Sequence, residues 1–201
     1  MKELGDIQKI QSLQVAQRGV FSKADLQALL NEKHPAAFVR RVRTLEQANI
    51  IQRFIRGWYI AEACLDLATL SQRLSPESYV SFGTVLAESL VVGTKPEREV
   101  WAAKCGRSRS YGGGSYRIEH LGLAEHLLFG FEMRQGVRWA TPEKALLDTL
   151  YFHLHGQRYP FDIYSDLHLR GLDKKRLAAY LARYRHAKFA AFAQSIIHAQ
   201  R

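Results

Sequence analysis

Arg40, Arg41 and Arg43 lie within four residues of one another, in a stretch that begins Lys33-His34-Pro35-Ala36-Ala37 and continues to Thr44 and Gln47. Guanidinium groups at such spacing suit one chemistry above others. Their planar forks match a guanine edge or a phosphate through paired N–H donors. Between Lys33 and Arg56 there are six basic residues (the three above with Lys33, Arg53 and Arg56) and one acid, Glu46. Ala36 and Ala37 are small enough to let a backbone approach closely. A second basic run, Arg170 to Lys188, has seven basic residues and one acid, Asp173. The overall excess fits a polyanionic partner; the second run is open to three readings, an extension of a DNA footprint, a contact with an acidic protein partner or a solvated helical face.

Other chemistries find less support in the sequence. Gly112-Gly113-Gly114 is not followed by Gly-Lys-Ser/Thr, so no phosphate-cradling loop is expected. His153 and His155 are two apart on an expected helix and diverge, which disfavours a shared metal. Glu97, Glu99 and Lys104 have the wrong spacing for a nuclease centre. Glu143 is accounted for by helix capping, and Lys144 with Asp148 by an exposed ion pair four residues apart. Cys64 and Cys105 are far apart and belong to no CxxC pair, so neither disulfide nor zinc site is indicated, and both thiols are expected to be reduced and mostly buried. These readings predict no enzyme, no metal and no cofactor.

The elements that would hold the arginines follow from local signals. Leu4, Ile7, Ile10, Leu13 and Ala16 recur at helical spacing over residues 3–17, and Gly19 ends that helix. Ser22 is a good N-cap, Asp25 suits the helix dipole, and Phe21 with Leu26 can staple the turn. This second helix runs to about Glu32. Pro35 takes the first position of a third helix. Phe38, Val39, Val42 and Leu45 form its inner stripe, and Ala36, Arg40, Arg43, Thr44 and Gln47 point outward with Arg41 on the flank. Residues 50–60 are rich in β-formers and broken at Arg56-Gly57, which predicts two short strands with Arg53 and Arg56 near the turn. Helix, turn, basic helix and basic hairpin in this order predict a winged helix-turn-helix whose third helix reads a major groove.

The rest of the 201-residue chain mixes both element types. Helix starts are expected at Ser75-Pro76-Glu77, at Ser81 and at Thr141-Pro142-Glu143. Strands are expected at Val100–Ala103, Ser115–His120 and across Phe129–Trp139 with a turn at Gln135-Gly136. Gly106–Gly114 is expected to be a flexible basic loop carrying Arg107 and Arg109. The last forty residues are expected to be mainly helical, and Arg107, Arg109, Arg170, Lys174, Lys175 and Arg176 are the candidates for a secondary basic patch. The fold class is therefore α+β, with a winged helix over 1–62 and a mixed α+β domain over 63–201. Lys plus Arg exceeds Asp plus Glu by 29 to 19, a net charge of +10. No apolar run long enough for a membrane span and no secretory signal are evident, so a cytoplasmic location away from membranes is expected.

Four stretches together resemble a known family: Arg40-Arg41-Val42-Arg43-Thr44-Leu45, Gly57-Trp58-Tyr59-Ile60, Ser78-Tyr79-Val80-Ser81-Phe82, and Ala140-Thr141-Pro142-Glu143-Lys144-Ala145-Leu146-Leu147-Asp148. They are similar to the AbiEi antitoxins of bacterial abortive-infection toxin–antitoxin systems, over roughly residues 15–155. The resemblance implies that Ala36–Gln47 is the DNA-contacting helix and that Arg53 and Arg56 belong to the wing. It implies repression of the protein's own operon through an inverted-repeat operator. It further implies neutralisation of a cognate nucleotidyltransferase-like toxin. A stand-alone regulator, a protein-interaction module without DNA binding and a nuclease-like enzyme are the alternatives.

Overall fold

Ser22 turns the chain into a helix because its hydroxyl accepts the Asp25 N–H at 3.1 Å while the Asp25 carboxylate accepts the Ser22 N–H at 2.7 Å. This reciprocal cap satisfies two donors that a helix start leaves unpaired. In the computed structural model, which describes residues 2–93 and 96–200, the helix it opens is α2 (Lys23–Leu30). It follows α1 (Lys2–Gln14) and a short strand, β1 (Val20–Ser22), and precedes α3 (Pro35–Gln47), β2 (Gln52–Ile55) and β3 (Trp58–Ile60). α2 stops before Glu32 because Asn31 adopts the left-handed conformation, φ 46°, and its N–H bonds back to Ala28 and Gln27. Pro35 opens α3 as expected.

β1 has only three residues, too few to show a period, and no strand was expected there. It pairs antiparallel with β3 through Val20–Ile60 and Phe21–Tyr59, so the sheet order is β1-β3-β2. Ile10, Phe21, Leu26, Leu30, Phe38, Val42, Leu45 and Ile51 fuse the three helices and this sheet into one core. Val39 does not join them. It is 63% exposed and faces outward, against the expectation that it belongs to the buried stripe.

The chain divides into two compact units, Met1–Leu70 with Tyr111–Arg117, and Ser71–Ser110 with Ile118–Arg201. The first therefore extends past residue 62 and includes a hairpin tip from the middle of the sequence. α4 (Leu67–Leu74) runs from one into the other. The second contains β4 (Tyr79–Val80), α5 (Phe82–Glu88), β5 (Glu99–Cys105), β7 (Tyr116–Leu123), β8 (Phe131–Arg134), β9 (Val137–Ala140), α6 (Pro142–Leu154), α7 (Lys174–Ala182) and α8 (Ala187–Ala199). With β6 (Arg109–Gly113) the strands order as β6-β7-β5-β4-β9-β8, where β4 runs parallel to β9 and antiparallel to β5. The structure is thus mixed α+β, with eight α-helices and two sheets among the described residues. No helix among them is long and apolar enough to cross a membrane.

Several expectations for this half change. Ser75-Pro76-Glu77 follows the end of α4 instead of starting a helix. The Gly106–Gly114 stretch contains strand β6 instead of a loop. Ser81 does precede α5, but its hydroxyl makes no cap; it donates instead to Asp148 at 2.8 Å. Thr141 caps α6 as expected, accepting the Lys144 N–H at 3.4 Å, with Pro142 in the first turn.

α6 carries the largest correction. Every residue from Glu143 to Leu150 is buried, because α5, α7 and α8 all pack on it. Lys144 and Asp148 are ion-paired with both side chains fully buried, not exposed as the i, i+4 spacing suggested. Tyr79 and Tyr184 donate their hydroxyls to Asp148 at 2.9 and 3.0 Å, and the Lys144 ammonium donates to the Tyr184 hydroxyl at 2.8 Å. The ammonium also lies 4.6 Å from the centre of the Phe129 ring. Burial pulls the Lys144 pKa down, and the adjoining Asp148 carboxylate opposes that shift. Removing one partner should strand a charge in the core. Asp148→Ala is expected to cost about 3–5 kcal/mol in urea unfolding, whereas Lys144→Met with Asp148→Leu should recover most of it. A single variant as stable as the wild type would show that the pair is not desolvated in solution.

His120 is buried on β7, with its Nε2 2.8 Å from the Ser71 hydroxyl. Burial, helped by Lys104 and opposed by Glu77, lowers its pKa to about 4. The folded protein therefore keeps this ring neutral, while the unfolded chain protonates it as pH falls below about 6.5. Stability from this group is complete above pH 6.5 and is lost progressively towards pH 4, by about 3 kcal/mol at most. His120→Gln should flatten that part of the profile when urea midpoints are compared at pH 7 and 4.5. Parallel profiles for wild type and variant would contradict it.

Candidate nucleic-acid interface

The outward side of α3 is set by its inward side. With Phe38, Val42 and Leu45 held in the core, Ala36, Val39, Arg40, Arg43 and Gln47 fall on the opposite face, and all five are exposed. The face has two guanidinium groups, one amide and two small apolar side chains, and no carboxylate. Lys33 and His34, also exposed, stand just before its N-terminus. His34 makes no side-chain cap, so the imidazole is not committed to the helix end. The Thr44 hydroxyl bonds back to the Arg40 carbonyl at 3.2 Å, which occupies its proton.

Arg41 is separated from this face. Its Nε and Nη2 donate to the Asp6 carboxylate of α1 at 2.8 and 2.5 Å, and its Nη1 donates to the Leu30 carbonyl at 2.9 Å and to Glu32 at 3.3 Å. Only 15% of the side chain is exposed. The bond to the Asp6 carboxylate raises its pKa, with Glu32 adding to the effect. The geometry is the two-pronged carboxylate match that arginine makes well. Arg41 thus fixes α3 to α1 and to the end of α2, with four of its five N–H groups committed inside the fold; the expectation that it belongs with the outward, DNA-facing arginines is corrected. Ala37 and Thr44 sit on the same flank, in a depression bordered by Glu3, Asp6 and Glu32 and reached from the outward face by Arg40. Acids on that side make it the unfavourable side for a phosphate.

Arg53 on β2 and Arg56 in the turn are exposed. Gly57 follows with φ 84°, the left-handed conformation the tight turn demands, and its carbonyl accepts the Lys23 N–H at 2.7 Å. The hairpin is thereby anchored to the start of α2. β2 has a second support that the sequence did not reveal. Gly113, in the 111–117 tip, lies so close that a Cβ there would be 2.0 Å from the Phe54 carbonyl oxygen. Three consecutive glycines were the available signal, and they were read as flexibility instead of close approach.

In the second unit, Arg107 and Arg109 are exposed at the start of β6, and Arg170, Lys174, Lys175 and Arg176 are exposed around the start of α7. Arg176 lies 3.6 Å from the buried Glu143 carboxylate. Asp173 caps α7, accepting the Lys175 N–H at 2.8 Å. Cys64 is half-buried and Cys105 exposed; both are free, so the expectation that both thiols are buried fails for Cys105. Among the described residues no cluster of three metal-binding side chains occurs.

No family model and no curated protein matches this chain. Among solved structures, the RV2827C protein from Mycobacterium tuberculosis superimposes with a TM-score of 0.56 at 12% sequence identity, covering 96% of this chain and 80% of that one. At that identity the likeness concerns the fold alone, and it extends over nearly the whole α+β chain.

The Arg41 contacts imply a specific outcome. Arg41→Ala should destabilise the protein by about 2 kcal/mol in chemical unfolding, because it leaves the buried Asp6 carboxylate without its main partner. Full stability in that variant would return Arg41 to the set of free cations.

Proposed function

We propose that the first unit is a winged helix-turn-helix that binds double-stranded DNA, with α3 in the major groove and the β2–β3 hairpin as its wing. The observation that carries this reading is the exposed stripe Ala36, Val39, Arg40, Arg43 and Gln47, held on a helix whose rotation is fixed by the core and by Arg41. The order helix, strand, two helices and two strands supports it, as does the sheet order β1-β3-β2. Arg40 and Arg43 supply base-edge or phosphate contacts, and Lys33, His34, Arg53 and Arg56 supply phosphate contacts at the two margins. Val39 and Ala36 add methyl groups that suit the methyl of thymine.

On this reading the protein is a transcriptional regulator that represses its own operon through an inverted-repeat operator. The resemblance to AbiEi antitoxins supports a second role, neutralising a nucleotidyltransferase-like toxin encoded beside it. No catalytic role is assigned to any residue, and no cofactor is required.

Fluorescence anisotropy with the DNA preceding its gene tests the proposal. Arg40→Ala should weaken operator binding roughly tenfold or more while affecting random-sequence DNA less. Arg56→Ala should weaken both about equally. Val39→Ser should cost about fourfold on the operator, the value of one lost apolar contact, without lowering stability. Operator affinity should fall steeply with added salt. Unchanged affinity in both arginine variants would rule out α3 as the reading element. Co-purification with the neighbouring gene product, with no operator binding, would instead favour a protein-interaction module.

A further inference from the structure

α7, α8 and the segment before α7 line a groove of about 530 Å³. Its lining divides by chemistry. Ala178, Ala182, Ala190 and Ile197 contribute apolar surface, with Leu177 and Leu181 beneath it turned into the core, and Gln194 and Gln200 add amides. Arg170, just before α7, and Lys174, its first residue, also line the groove, as does His198 from the last turn of α8. Among the described residues no carboxylate lines the groove. The nearest acid in sequence, Asp173, has one carboxylate oxygen on the N–H groups of Lys175 and Arg176. Glu143 is buried and accepts the Asp173 N–H at 2.9 Å.

This arrangement changes the meaning of the basic residues around 170–176. A phosphate backbone is polar along its whole length and has nothing to place on alanine and isoleucine. A partner that is both apolar and acidic satisfies both parts of the groove. We infer that the α7–α8 groove is a docking site for an acidic amphipathic helix of a partner protein, its apolar face on Ala178, Ala182 and Ile197 and its carboxylates at Arg170 and Lys174. Small residues on the floor favour a helix as occupant, because they let a third axis approach to roughly 8–10 Å, the ordinary helix-packing distance. α7 has nine residues, so the floor is about 12 Å long, enough for two turns of the incoming helix. Apolar anchors at i, i+3 or i+4 and i+7 would then meet the floor. A second copy of this chain is disfavoured by charge, since each carries +10. The inference concerns the second unit and stands whether or not the first binds DNA.

A helical-peptide display library selected against the full chain, with no sequence imposed, tests it. The recovered peptides are expected to combine an amphipathic apolar period with Asp or Glu on one flank. Their affinity should drop at least tenfold for Ala182→Glu and at least threefold for Arg170→Ala with Lys174→Ala, and fall with added salt. Circular dichroism and the unfolding midpoint should not change in these variants, because all three side chains are exposed. The assignment is overturned if no peptide is recovered at 10 µM or tighter, a limit on the order of −7 kcal/mol. It is also overturned if the recovered peptides lack acids, or if they bind Ala182→Glu as well as wild type. Dimerisation through this face in sedimentation, abolished by Ala182→Glu, would replace the partner helix with a second copy. Binding of dodecanoate without any peptide would replace it with a small amphiphile.

Discussion

The rotation of α3 about its own axis determines what the first unit offers to a partner. A helix advances about 100° per residue, so a turn of that size would bury one basic position and expose another. Two constraints of different kind remove this freedom. Phe38, Val42 and Leu45 insert into a core built from α1, α2 and the short sheet. Arg41, on the flank, is held by Asp6 of α1 and by the Leu30 carbonyl at the end of α2. The apolar contacts set the face; the directional hydrogen bonds set it sharply and tie three helices to one guanidinium. Arg40 and Arg43 are outward because Arg41 is not.

The second unit relies on a comparable device in a drier place. α6 is packed on all sides from Glu143 to Leu150, and the charged pair Lys144–Asp148 has both side chains fully buried there. The pair is tolerated because its remaining hydrogen-bonding capacity is taken up by Tyr79, Ser81 and Tyr184. Burial next to Asp148 pushes both tyrosine hydroxyls well above their ordinary range, so they remain protonated donors. The contacts come from β4, from the residue before α5 and from the stretch after α7. One carboxylate therefore fixes two separate chain segments, 79–81 and the stretch after α7, relative to α6. Hydrophobic packing alone would allow them to slide at less cost.

What could be read from the sequence was local. The caps at Ser22 and Thr141, the prolines at 35 and 142 and the two-residue turn at Gln135-Gly136 all depend on neighbours within a few positions. They stand where expected. What escaped was decided at a distance. Nothing near Arg41 in the sequence identifies Asp6, 35 positions away, as its partner. Val39 follows Phe38 in an apolar pair, and only the crossing of α3 over the core decides which of the two is inside. Lys144 and Asp148 have the spacing of a surface ion pair, and the same spacing serves a buried one. Gly112–Gly114 has the composition of a flexible loop, yet Gly113 is needed where two backbones nearly touch. Composition and period carry no record of what packs on the far side.

Net charge has the same weakness as a guide to binding. The excess of +10 is a sum over the whole chain, but several cations are already neutralised within the fold. Arg41 belongs to Asp6 and Glu32, Arg18 lies 3.3 Å from Asp66, Arg176 faces Glu143 and Lys144 is sealed with Asp148. Setting those aside leaves surfaces of two different characters. The α3 face combines exposed guanidinium groups with isolated small apolar contacts, a surface that a polyanion with methyl-bearing bases can satisfy. The α7–α8 groove sets alanine, leucine and isoleucine side chains beside its cations, and a polyanion would leave those apolar groups wet. On the readings proposed above, two basic regions that look alike in composition suit partners of different chemistry, and the distinction rests on which apolar side chains lie between the charges.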